Sequence, residues 1–140
     1  MTAGQPRLRK TLTANDVGHT GSHQAGIHVP KLLVEYFPLL DASQLNPDTW
    51  LEIASRESTH HWRFIYYNNA VVGQGTRDEY RLTHVTGFLR EATARPGDVL
   101  ELTRIGARSY AGQVMSGEDE SGVLTLSIEG PWRVVRIGHR

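Results

Sequence analysis

Apolar residues in this chain recur at a period of two, in short runs that mostly end at Gly, Pro, Asn, Asp or Ser. That pattern fits half-buried strands joined by turns, because a long helix would need a period near 3.6 held over several turns. Residues 8–14 alternate around two threonines and stop at Asn15-Asp16. The same character returns at 27–29, 50–55, 62–67, 82–86, 99–103, 110–115, 123–128 and 132–137. Residues 56–61 (RESTHH), the Asn68-Asn69 pair and Pro96-Gly97-Asp98 read as turns. Only one stretch reads as a brief helix: Pro30 opens it, Leu32, Leu33, Tyr36 and Phe37 share its face, and Pro38 ends it. About seven to eight strands with one or two short helices predict a mainly β barrel or sandwich. Trp50, Trp62 and Trp132 lie in strand-like surroundings and are expected in its core.

A length of 140 residues suits one domain spanning 1–140. No cysteine is present, which excludes a disulfide scaffold, a cysteine zinc finger and a thiol nucleophile. No apolar stretch approaches the ~20 residues needed to cross a bilayer, and the opening MTAGQPRLRK lacks the apolar centre of a signal peptide. No membrane association is expected. Fifteen basic residues balance fifteen acidic ones, so any nucleic-acid surface must come from local charge placement.

Two polar segments break the strand pattern. The first, residues 15–26 (NDVGHTGSHQAG), is a long loop with three glycines and two histidines. Loops of that length in small domains tend to be functional or disordered. The second runs from Gly73-Gln74-Gly75 into Thr76-Arg77-Asp78-Glu79-Tyr80-Arg81, where nearly every side chain can hydrogen-bond. Between them they hold the mixed donors and acceptors that reading base edges demands. Arg77 and Arg81 offer planar forks suited to guanine O6/N7, Glu79 can accept from a cytosine amino group, and Gln24 can be bidentate to adenine. His23 can donate to a base or a phosphate, while Thr20 and Ser22 can donate to phosphate oxygens. Lys10 and Lys31 flank the first segment and are expected to act on phosphates. An imidazolium at His19, His23 or His28 would strengthen phosphate binding, so tighter binding is expected at pH 6 than at pH 8.

Other readings of the same residues stand beside this one. A TRDEYR run is by itself most often a solvated hairpin with cross-strand ion pairs. His19, His23 and one of His60 or His61 could ligate zinc in a small metal-dependent β-barrel enzyme, although Gly21 and Ser22 make a helix between the first two improbable. A protein-interaction domain that uses an exposed strand edge is a third reading. The sequence contains no HExxH, no phosphate-cradling Gly-Lys-Ser/Thr loop and no Gly-x-Ser-x-Gly elbow. No catalytic residue, metal ligand or cofactor is therefore expected.

The stretch LTANDVGHTGSHQAGIHVP, from Leu12 to Pro30, resembles the opening of the N-terminal effector domain of the EcoRII restriction endonuclease family, in its Ala-Asn-Asp, its Thr-Gly-x-His-Gln and its final Pro. A second match is IYYN at 65–68, followed by Gly73 and then Thr76-Arg77-x-Glu79-x-Arg81 in the family's order. The resemblance implies a B3-like DNA-binding pseudobarrel whose two arms grip the major groove. It places an N-terminal arm at about Asp16 to Gln24, with His23 as a contact, and a C-terminal arm at about Gln74 to Arg81, with Arg77, Glu79 and Arg81 as contacts. His19, His28, Thr76, Asp78 and Tyr80 complete the expected interface. It further implies double-stranded DNA as partner, a CCWGG-like target, a prokaryotic cytoplasmic setting, and nuclease chemistry confined to a separate fused or associated domain. Relatives resembling EcoRII carry a tyrosine where this chain has His28 and lysines where it has Gly75 and Tyr80. Fewer fixed charges should make the salt dependence shallower.

Overall fold

The computed structural model describes residues 5–18, 26–117 and 122–138. Nine strands build one sheet: β1 (Arg7–Thr11), β2 (Ile27–Val29), β3 (Asp48–Ala54), β4 (Thr59–Tyr67), β5 (Glu79–Thr83), β6 (Val99–Arg104), β7 (Ser109–Met115), β8 (Val123–Glu129) and β9 (Trp132–Ile137). Their order is β2-β5-β4-β3-β7-β6-β1-β9-β8, and the sheet curls into a half-barrel. Neighbours run antiparallel except β3 and β7, which pair in parallel from Glu52↔Ser109 to Ala54↔Ala111. Two short helices, α1 (Asn69–Val72) and α2 (Thr86–Glu91), and a 3-10 turn at Lys31–Tyr36 complete the described chain. The mainly β architecture matches the sequence reading: each of the nine period-two runs holds a strand, against the seven to eight strands expected of the barrel as a whole.

Several boundaries differ from the sequence pattern for identifiable reasons. The segment after Pro30 is 3-10 rather than α. With three residues per turn, Leu33 and Tyr36 lie on one face, and Leu32 is left 69% exposed. The expected turn at 56–61 is shorter, because pairing between β3 and β4 continues to Ala54↔Thr59 and draws His60 and His61 into strand. β5 starts three residues earlier than the pattern implies and stops at Thr83, where His84 adopts a φ of 65° that a strand cannot continue. Residues 86–91, which carry no helical signature in the sequence, form α2, held by burial of Phe88 and Leu89.

The core lies inside the curl. Trp62, Phe64, Leu51, Ile53, Tyr110, Leu100, Trp132 and Val134 are buried in one cluster. Phe88 reaches it from α2 and meets Trp62 edge-to-face, with centroids 5.2 Å apart. Trp50 is the exception to the expected tryptophan core. Strand alternation points Leu51 and Ile53 inward, so Trp50 faces outward, half exposed, against the ring of His84. Four rings, Phe37, Phe64, Tyr80 and Tyr66, form a continuous stack across β4 and β5 with successive centroids 4.8, 5.6 and 4.2 Å apart.

Charge is also buried. Glu101 on β6 receives Arg9 Nε at 2.9 Å, Arg7 Nη1 at 3.1 Å and Gln113 Nε2 at 2.8 Å. Burial pushes its carboxyl up, but the hydrogen bonds from Gln113 and Arg9, with the Arg7 and Arg9 charges, more than offset this and hold it below the ordinary glutamate value. Lys10 is likewise buried, its Nζ 2.5 Å from Asp16 Oδ2.

Candidate nucleic-acid interface

The two polar segments sprout from neighbouring strands. β2 closes the N-terminal segment and β5 closes the C-terminal one, and these strands pair antiparallel, with His28 opposite Arg81 and Val29 opposite Tyr80. The feet of both segments are thus joined by a backbone ladder at one end of the sheet.

The C-terminal arm, between β4 and β5, is fixed by two asparagines. Asn68 is fully buried, and its Nδ2 donates to the carbonyls of Ala42 and Gln44 while its Oδ1 accepts the Asn46 N–H. Asn69 turns the other way: its Oδ1 accepts the Arg77 N–H at 2.8 Å, and its backbone carbonyl accepts the N–H groups of Gly73 and Gly75. Past this clasp, the Arg77 guanidinium lies 3.6 Å over the Tyr67 ring. Arg77 Nε and Nη2 both reach Glu79 Oε1, at 3.0 and 2.6 Å. Arg81 Nη2 donates to the other oxygen, Glu79 Oε2, at 3.2 Å, and Arg81 Nη1 donates to the Gly26 carbonyl at 3.2 Å. Burial pushes the Glu79 carboxyl up, but Arg81 and Arg77 outweigh it and hold the group below its ordinary value. The result is an Arg-Glu-Arg row that runs from the arm into β5 and touches the foot of the other segment.

Gly26, whose carbonyl receives Arg81, cannot be another residue without rearrangement. Its φ is +92°, and a Cβ would lie 2.4 Å from the Leu82 carbonyl oxygen. Next to it, the exposed ring of His28 is held below the ordinary imidazole value by partial burial and by the Arg81 charge. Asp78 accepts Lys31 Nζ at 2.7 Å and the Tyr66 hydroxyl at 2.6 Å. Those hydrogen bonds lower the Asp78 carboxyl, and the bond to Asp78, together with burial, pushes the Tyr66 hydroxyl up to about 12.

Of the expected interface, His28, Lys31, Arg77, Asp78, Glu79, Tyr80 and Arg81 gather on this end of the sheet, with Gln74 and Thr76 exposed on the arm. Tyr80 is half-buried in the ring stack, and its hydroxyl is pushed up by burial. Lys10 departs from expectation. Its side chain is 5% exposed and engaged with Asp16, so it braces the root of the N-terminal segment instead of facing solvent phosphate. The Thr13 N–H also donates to Asp16 Oδ2, and the Asp16 N–H donates to Thr13 Oγ1. His19, Thr20, Ser22, His23 and Gln24 lie outside the described residues. Sequence reasoning missed Asn69, Tyr66 and Tyr67, whose role is to hold the arm. The sequence signs of it were the IYYN match at 65–68, which carries Tyr66 and Tyr67 without assigning them a role, and the Asn-Asn pair, which reads as a bend.

Of the histidines in the metal-enzyme reading, His19 and His23 lie outside the described residues, and only His60 and His61 can be placed. His60 Nε2 meets Glu91 Oε2 at 2.5 Å and Ser58 Oγ at 3.0 Å, while His61 is its strand neighbour and points to the opposite face. Among the described residues, no three His, Asp or Glu side chains are grouped so as to hold a metal ion. No helix among those residues is long and apolar enough to cross a membrane.

The family described as "Restriction endonuclease EcoRII, N-terminal" matches residues 4–110. The chain belongs to that family. Its EcoRII-type sequence is 41% identical over 81 residues to the type II restriction enzyme EcoRII of Escherichia coli, an alignment covering 53% of this chain and 19% of that protein. The chain thus spans about a fifth of that curated relative. Two solved structures share the fold of this EcoRII N-terminal family member. The UbaLAI restriction endonuclease B3 domain with cognate DNA aligns with a TM-score of 0.55 and 22% identity, covering 94% of this chain and 86% of that one. The Arabidopsis FUS3–DNA complex aligns with a TM-score of 0.57 and 17% identity, covering 79% and 96%. The half-barrel is therefore a B3-like pseudobarrel.

Proposed function

We propose that residues 1–140 form one recognition domain that binds double-stranded DNA sequence-specifically, with its two arms in the major groove. The domain would serve either as the effector part of a type II restriction enzyme or as a stand-alone relative in a prokaryotic cytoplasm. The observation that carries this reading is the Arg77-Glu79-Arg81 row, which runs from the arm into β5 where that strand is laddered to β2 at the foot of the N-terminal arm. Two planar forks flanking one acceptor are the chemistry of direct base readout, and the row is exposed enough to meet a groove. Lys31, 57% exposed, stands beside it as a phosphate ligand. His23 and Gln24, with phosphate contacts from Thr20 and Ser22, would come from the other arm.

A CCWGG-like target is the starting hypothesis, carried by family membership. His28, Gly75 and Tyr80, where the resemblance implies a tyrosine and lysines in EcoRII-like relatives, are the positions where the target would diverge. The domain is proposed as non-catalytic, with strand cleavage belonging to a fused or associated nuclease domain. A bind-and-sequence selection from random duplexes, at moderate salt and without divalent metal, tests the reading. Enrichment of a short motif with a large preference over scrambled duplex is expected. Salt-sensitive binding with no enriched motif would overturn sequence-specific recognition.

A further inference from the structure

The described arm contains one contact that neither the charge pattern nor the row of arginines explains: the fit between Asn69 and Gly75. A Cβ built at position 75 would lie 2.2 Å from both Cγ and Oδ1 of Asn69 and 2.8 Å from its Nδ2. Gly75 is not among the glycines with positive φ, so no left-handed backbone calls for glycine there. Glycine is needed there for space alone, and the space is filled by the Asn69 side chain.

That side chain in turn holds the residue that would read DNA. Asn69 Oδ1 accepts the Arg77 N–H, the Ala70 N–H donates to the Arg77 carbonyl, and the Gly75 N–H donates to the Asn69 carbonyl. Position 77 is therefore tied on both sides of its peptide, at the point where the Arg77 side chain turns onto Tyr67 and Glu79. Arg77 has long, rotamer-rich side-chain freedom. Fixing its backbone and its guanidinium before binding lowers the ordering cost of the complex, and a displaced fork loses bidentate geometry.

We propose that Asn69 is a positioning residue for base readout, and that Gly75 is kept small so that the Asn69 side chain can clasp the arm and set the fork of Arg77. The inference rests on the DNA-binding reading above. Recognition here would draw on a rigid arm where added lysine charge would only raise affinity for every duplex alike.

The test uses the whole chain, the duplex that the wild-type protein enriches from a random pool, and a scrambled duplex of equal length. Asn69→Ala should lower the ratio of the two affinities by about tenfold, in the range set by loss of one bidentate contact, with the melting temperature near wild type. Asn69→Asp retains the acceptor for the Arg77 N–H; its added negative charge should weaken both duplexes but restore most of the ratio. Gly75→Ala should reproduce the loss. In the Asn69→Ala background the same Gly75→Ala change should be almost without effect, because the three nearest atoms it would strike have been removed. Hydrogen exchange at the Arg77 amide, followed without DNA, should accelerate in Asn69→Ala. A wild-type ratio that survives Asn69→Ala despite faster exchange would overturn the positioning role alone. Equal cost of Gly75→Ala in both backgrounds would do the same. A wild-type protein that does not discriminate between duplexes would remove the DNA reading and this inference together.

Discussion

At the residue scale, the arginines and lysines that share one chemical label divide by burial and partners. Arg81 and Arg77 each present a fork next to Glu79, so replacing either by Ala should cost on the order of 1–3 kcal/mol against the preferred duplex and relax one base position. Affinity for scrambled duplex should change little, which a competition titration would show. Lys31 makes one exposed pair with Asp78. Lys31→Ala should weaken all duplexes alike and lower the salt slope by about one. Lys10 should behave oppositely to both. Because its ammonium and the Asp16 carboxylate are buried together, Lys10→Met should destabilise the fold by about 3 kcal/mol while leaving the salt slope unchanged. A lower salt slope in Lys10→Met, with melting unaltered, would restore it as a phosphate contact. For His28, neutrality is favoured by burial and by Arg81, so any gain in binding between pH 8 and pH 6 should persist in His28→Gln.

At the element scale, β5 does two things at once, because alternate residues face opposite sides. Glu79 and Arg81 form the polar row, while Tyr80 and Leu82 point the other way, into the ring stack and the core. Tyr80→Ala should therefore cost about 2–4 kcal/mol of stability by removing a ring from the stack, whereas Tyr80→Phe should melt close to wild type. Specific binding retained in Tyr80→Phe would show that the ring, not the hydroxyl, is what the arm requires. Much of this was legible in the sequence. Period-two runs located the strands, Gly and Pro marked their ends, and the two polar segments stood out from them. Periodicity could not say which side of a strand is covered: Trp50 and the Leu124, Leu126 and Ile128 series on edge strand β8 are exposed although their runs look like those of the core. Nor could it show α2, whose Thr-Gly start is a poor helix signal and whose stability comes from Phe88 packing on Trp62. At the site, donor and acceptor types pointed to Arg77, Glu79 and Arg81, but the clasp by Asn69 depends on a contact six residues away that no spacing rule encodes.

At the scale of the whole molecule, pH response follows from groups whose protonation differs between the folded and unfolded chain. Glu79, Glu91 and Glu101 are all held below the glutamate value of 4.5, Glu91 by hydrogen bonds from His60 and Ser58. A carboxylate lowered by folding adds stability that is fully present above its unfolded value and is lost as pH falls through its folded one. These three, like Asp78, therefore contribute nothing to any change between pH 8 and pH 6 and lose their contribution below about pH 4.5. His28 is lowered from 6.5, and for a base this means the folded chain prefers it neutral. Its share is present above 6.5 and diminishes as pH drops below that, since the unfolded chain takes up the proton first. Melting temperature should thus decline gently from pH 7 to pH 5 and steeply from pH 4.5 to pH 3. Glu101 is the decisive group for the steep limb, because it alone among the three is nearly enclosed and meets two arginines and a glutamine. Glu101→Gln should lower stability at pH 7 by about 3 kcal/mol, since Arg9 then sits buried beside a neutral amide. Because the lost charge no longer titrates, the variant's curve should approach that of wild type as the pH falls to 3. Parallel curves, with the same offset at pH 7 and pH 3, would mean that the Glu101 cluster holds β1 to β6 by shape and hydrogen bonding, with no contribution from its charge.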